Sequence, residues 1–109
     1  ELRDTAVTFH YNNIEEFNAI IDEYGDQLAA VIMEPCRHHD PEPGFLEYVK
    51  EGIHDQGGLF LFDEITIGWR LAYGGAHLKF GVDPDIAIFA KACPCYFGKD
   101  EESKRSPAY

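Results

Sequence analysis

The chain has 109 residues, 45% hydrophobic and 14% aromatic, with nine Lys and Arg against twenty Asp and Glu and a formal charge of -11. That length suits one small domain, the apolar content excludes a disordered chain, and the acidic balance argues against tracking nucleic-acid or anionic-membrane phosphates. No apolar run nears the roughly 20 residues of a membrane span, and the N-terminal ELRDTAVTFHY has no signal-peptide core and no initiating Met, so the chain is expected to begin within a longer protein. Three cysteines, Cys36, Cys93 and Cys95, cannot form a complete set of internal disulfides, which points to a reducing cytoplasm.

In chain order, TAVTF (residues 5–9) reads as a short strand. NIEEFNAIIDEYG follows as a helix: Ile14, Phe17, Ile20, Ile21 and Tyr24 fall at helical spacing, Asn13 and Glu16 form a capping-box pattern, and Gly25 is placed to stop it. LAAVIM (28–33) is a continuous apolar run ending at Glu34 and Pro35, the pattern of a strand buried on both faces. CRHHDPEP is a loop. GFLEYVKEGIHDQGG makes the next helix, with Phe45, Leu46, Val49 and Ile53 on one face, and LFLF (59–62) is a second buried strand that runs into Asp63 and Glu64. AHLKF reads as a short helix, and PDIAIFAK as a third buried strand running out at Lys91.

Buried strands alternating with amphipathic helices indicate βαβ units and a parallel sheet, whose ligands sit beyond the C-terminal ends of the strands. Each of the three strand ends carries an ionisable group: Glu34, Asp63 and Lys91. A carboxylate and an amine on one sheet edge suit a carbonyl cofactor held as a Schiff base, with the Lys on the cofactor aldehyde and the Asp on a pyridine nitrogen. If the strand continues past Asp63, Ile65 faces the same side and packs on the ring. The same residues also fit a plainer reading, in which Asp63 is a strand-end cap or a solvated charge.

AAVIMEP and PGFLEYVKEGIHDQGGLFLFDEITIGWRLAYGGAHLKFGVDPDIAIFAKA together resemble the class III aminotransferases, of the fold type I pyridoxal phosphate group, nearest to glutamate-1-semialdehyde aminomutase and its relatives. The resemblance spans roughly residues 7–92. It is carried by the order Asp-Glu-aliphatic, Gly-aromatic-Arg, Tyr-Gly-Gly, Phe-Gly-Val and Pro-Asp ending in Lys. It implies an α/β fold, a βαβαβ fragment of the family's three-layer large domain over residues 1–92, with a divergent and disordered tail over 93–109. It also implies pyridoxal 5'-phosphate as cofactor, Asp63 on the pyridine nitrogen, Ile65 on one ring face, and Lys91 as the Schiff-base and proton-transfer residue. A small-molecule amino donor, a carbonyl acceptor and a homodimer follow from the same resemblance.

Departures from the family pattern carry expectations of their own. After Ala92 the chain turns to CPCYFGKDEESKRSPAY, polar and aperiodic. Ile67 replaces a small hydroxyl residue, and in the loop CRHHDPEP Arg37 is a candidate for a substrate carboxylate. The family's phosphate-binding turn, its second ring-face aromatic and its small domain lie outside the matched stretch, so this polypeptide alone is expected to bind cofactor weakly, turn over nothing useful and self-associate. Two rival readings stay open at this point. One is a metal-binding module built from Cys36, His38, His39, Cys93 and Cys95, whose spacing matches no familiar zinc motif; the other is a non-catalytic remnant acting as an interaction domain.

Overall fold

A computed structural model describes residues 4–91. The disordered tail expected over 93–109 therefore lies outside the described residues, as do Cys93 and Cys95. The elements are α1 (Ile14–Tyr24), a 3-10 turn (Gly25–Gln27), β1 (Ala30–Met33), α2 (Phe45–Asp55), β2 (Leu59–Asp63), α3 (His77–Phe80) and β3 (Ile86–Ile88). The strands form one sheet in the order β1-β2-β3, and β2 and β3 run parallel with Leu61, Phe62 and Asp63 in register with Ile86, Ala87 and Ile88. This is the small parallel sheet with helices expected of a partial fold type I domain.

By compactness the chain forms two units, residues 1–31 with 41–60, and residues 32–40 with 61–109. In the first, α1 begins where the sequence places it. Asn13 Oδ1 accepts the Glu16 N–H at 3.0 Å, satisfying one of the donors that a helix start leaves unpaired. The reciprocal half of the capping box is diverted: the Glu16 carboxylate takes the His10 N–H at 2.7 Å and the His10 ring at 2.9 Å. The His10 backbone bond, followed by the ring contact, holds Glu16 below the usual carboxylate range. At the other end Gly25 donates its N–H to the Ile21 carbonyl.

The four residues read as the inner face of α2, namely Phe45, Leu46, Val49 and Ile53, are all buried, with Phe17 of α1 and Phe60 of β2. Phe17 also meets Phe9 and Tyr48 at ring-centroid distances of 5.5 and 6.3 Å, and Tyr11 meets Phe45 edge-on at 5.2 Å. Residues 5–9 are not a strand. Phe9 is instead held by its ring against Phe17, a contact that needs no ladder partner.

The second unit buries Pro35, Cys36, Phe62, Glu64, Ala76 and Val82. Across the strands, burial alternates rather than being complete. Phe60 and Phe62 are buried, whereas Ile32, Leu59 and Ile86 are 58%, 46% and 45% exposed. The apolar runs were expected to be buried on both faces; the pleat sends alternate side chains to opposite sides, and among the described residues only one side is covered.

Replacing Asn13 with Ala should lower stability by about 1 kcal/mol through loss of the cap. Thermal or urea unfolding followed by far-UV circular dichroism measures it, and an unchanged midpoint would show that the cap contributes nothing.

Candidate active site

β2 ends at Asp63, and the chain turns at once. Asp63 Oδ1 accepts the Ile65 N–H at 3.0 Å, a local turn of the kind Asp favours. Ile65 thus lies in the turn and not in a continued strand, so strand alternation does not order its side chain. Among the described residues Asp63 Oδ2 has no hydrogen-bond partner, which leaves a half-buried carboxylate oxygen at the C-terminal edge of the sheet.

Glu64 points the other way. It shares parity with Phe60 and Phe62, so the alternation that buries those two rings buries it as well, and it is 0% exposed. Its carboxylate is fully engaged: Oε2 accepts the Ala76 N–H at 2.5 Å, while Oε1 accepts the His77 N–H at 3.0 Å and lies 2.6 Å from His77 Nδ1. An ionised carboxylate offers only acceptors, so His77 Nδ1 meets it as a donor in the tautomer that carries the proton there. The Glu64 backbone is equally committed, its N–H donating to Ile88 of β3 at 2.9 Å and its carbonyl accepting the Gly68 N–H at 2.8 Å.

Gly75 makes this closure possible. Its φ is +137°, and a Cβ there would sit 2.6 Å from the His77 ring and 3.1 Å from Glu64 Oε1.

Lys91 stands three residues beyond β3. Its Nζ donates to Thr66 Oγ1 at 3.4 Å, which brings it to the turn that Asp63 opens. Its backbone φ of +43° falls in the left-handed region, which costs a residue with a Cβ roughly 1 kcal/mol and which persists only where the surroundings impose it. A ring contact joins the same two segments, with Trp69 of the turn 5.7 Å from Phe89. No direct ion pair links Asp63 and Lys91 among the described residues.

The other sequence candidates have partners of their own. Glu34 Oε1 accepts from Arg37 Nη1 at 3.2 Å, so the loop Arg meets a carboxylate of its own chain, and Glu34 Oε2 is buried without a partner among the described residues. Burial, and then the Asp40 carboxylate 3.3 Å from its sulfur, push the Cys36 thiol up and keep it protonated. Among the described residues no group of three or more His, Cys, Asp or Glu side chains is arranged to hold a metal ion, and no helix is long and apolar enough to cross a membrane.

The fold thus brings a carboxylate and an amine to the same turn at the C-terminal edge of a parallel sheet. The family model of the class III aminotransferases matches residues 4–95, and the chain belongs to that family, whose cofactor is pyridoxal 5'-phosphate. It is 34% identical over 110 residues to the glutamate-1-semialdehyde 2,1-aminomutase of Natranaerobius thermophilus, a match that covers 92% of this chain and 26% of the relative. It is 40% identical over 90 residues to glutamate-1-semialdehyde 2,1-aminomutase 2 of Shouchella clausii, covering 79% and 21% respectively. An omega-transaminase from Sphaerobacter thermophilus superposes with a TM-score of 0.74 at 33% identity, over 81% of this chain and 21% of the other. The chain thus spans about a quarter or less of the length of these relatives.

The sequence marks Glu64 only as the second carboxylate after the strand and gives no role to it, to Thr66 or to His77. Parity with Phe60 and Phe62 was a usable signal for Glu64; nothing local marks Thr66 or His77, which reach their partners across 25 and 13 residues.

Gly75→Ala should cost about 2 kcal/mol, from a disfavoured φ and displacement of the His77 ring. Urea unfolding measures it, and a variant as stable as the parent would show that the loop closes without a glycine.

Proposed function

We propose that this chain carries the cofactor-anchoring strand ends of a pyridoxal phosphate-dependent class III aminotransferase or glutamate-1-semialdehyde aminomutase-like enzyme. Lys91 is the covalent and catalytic residue, and Asp63 and Ile65 are its cofactor-binding companions. The observation that carries this reading is the approach of Lys91 Nζ to Thr66 on the turn opened by Asp63, whose Oδ2 is unpartnered among the described residues. The residues fit the cofactor by the chemistry of these donors. Pyridoxal phosphate supplies an aldehyde for an amine and a ring that accepts the electrons left when a C–H bond breaks.

Each residue then has a definite task. Asp63 would stand beside the pyridine nitrogen and favour its protonated form, because an ionised carboxylate stabilises the charged form of a partner beside it. With the cofactor bound, Lys91 would be the amine that holds its aldehyde, with loss of water, and when displaced by a substrate amine would serve as general base and then general acid. Thr66 Oγ1 accepts from that amine and limits where it can swing. Ile65 packs against one ring face. The substrates are a small amino donor and a carbonyl acceptor, and an intramolecular amino shift is the case in which one molecule supplies both groups.

As an isolated chain it holds the cofactor weakly and does not turn over, since among the described residues no Gly- and Ser/Thr-rich turn at a helix start is available for the phosphate. It self-associates, as a homodimer in the simplest case, because Ile32 and Ile86 leave apolar surface exposed. Light scattering during size-exclusion chromatography should report a species larger than 12.4 kDa, and a compact monomer at high concentration would contradict this.

The cofactor assignment is tested by incubating the chain with pyridoxal phosphate, reducing with borohydride and mapping the added mass. The adduct should fall on Lys91 in preference to Lys50 and Lys79, and Lys91→Ala should abolish it. Asp63→Asn should weaken cofactor binding at least about tenfold, the scale of one hydrogen bond to a charged group. Equal labelling of Lys91, Lys50 and Lys79 would remove the proposal.

A further inference from the structure

We propose that Glu64 and His77 form a positioning pair that sets Lys91, acting through the turn 64–68 and Thr66. The inference rests on the role given to Lys91 above. Glu64 joins three segments of the second unit. Its N–H holds Ile88, three residues ahead of Lys91; its carbonyl closes the turn onto Gly68; and its carboxylate takes the Ala76 and His77 N–H groups and His77 Nδ1. Thr66, the acceptor for Lys91 Nζ, sits inside the turn that the Glu64 carbonyl closes.

A buried carboxylate is a costly way to pin a loop. Desolvation costs several kcal/mol, and an apolar residue of similar volume often serves stability as well or better. What the charged group supplies is direction: three donors must converge on two oxygens, which fixes residues 76 and 77 against the strand end to within hydrogen-bond tolerance. His77 adds a side-chain contact to the two backbone N–H bonds, its Nδ1 lying 2.6 Å from Oε1. Neither residue reaches the amine itself, so both act through Thr66.

The test uses the cofactor-free chain. A small neutral acylating reagent labels its lysines at one fixed pH, and mass spectrometry reads Lys91 relative to Lys50 in α2. Glu64→Gln keeps the volume but replaces one acceptor oxygen with a donor, and Thr66→Val removes the acceptor for Lys91. Each should raise relative labelling of Lys91 about threefold, and the double variant should add nothing further, because both changes release the same restraint. A merely structural Glu64 would loosen the amides of Ala76 and His77 in hydrogen exchange without coupling to Thr66.

Relative labelling unchanged within about twofold in Glu64→Gln, or effects of the two substitutions that multiply, would overturn the proposal. Should Glu64→Gln fail to fold, as judged by loss of amide protection in α1, His77→Gln decides: increased labelling supports the pair and unchanged labelling rejects it. Because no cofactor enters the assay, failure of Lys91 to take pyridoxal phosphate would sink the functional reading and leave this result readable.

Discussion

Everything at the proposed site depends on where the Glu64 carboxylate goes. It is the one fully buried charged side chain among the described residues, and such a group is tolerated only when every oxygen is engaged. Two backbone N–H groups and a ring nitrogen provide that engagement, all from residues 76 and 77. Since the Glu64 backbone also closes the turn to Gly68 and ladders onto β3 at Ile88, one residue determines the path of the chain from the end of β2 to the strand that delivers Lys91.

Two adjacent carboxylates therefore do different work because the pleat separates them. Asp63 falls on the side of Leu59 and Leu61, makes one local bond to Ile65 and, among the described residues, has no partner for Oδ2. Glu64 falls on the side of Phe60 and Phe62 and has both oxygens engaged. The first environment suits a group that meets a ligand, the second a group that builds the frame. Lys91 completes the division: a left-handed backbone and a hydroxyl contact hold its amine near the turn, while the side chain stays exposed.

The sheet is finished on one side only. Buried Phe60 and Phe62 line one face, and Ile32, Leu59 and Ile86 expose the other. A three-layer α/β domain covers both faces with helices. The described residues supply cover for one, in keeping with a chain that spans about a quarter or less of the length of its relatives.

Much of the fold was readable from local pattern. Helical spacing located α1 and α2, Asn13 marked the start of the first, the four apolar residues of α2 were its buried face, and the alternation of strands and helices implied the parallel pairing of β2 with β3. Local pattern misled where a partner had to be present: residues 5–9 have strand composition but gain a ring contact instead of a ladder, and the apolar strands look doubly buried although one face is bare. The order of residues by itself determined that a carboxylate follows one apolar run and an amine another, because periodicity is a property of consecutive residues; the structure ends β3 at Ile88, three residues short of Lys91. Only the tertiary structure decided that Asp63 Oδ2 has no partner among the described residues, that Glu64 is spent on Ala76 and His77, and that Lys91 reaches Thr66. Those outcomes depend on groups 12 to 25 residues apart meeting within hydrogen-bond distance, and no local spacing encodes such a meeting.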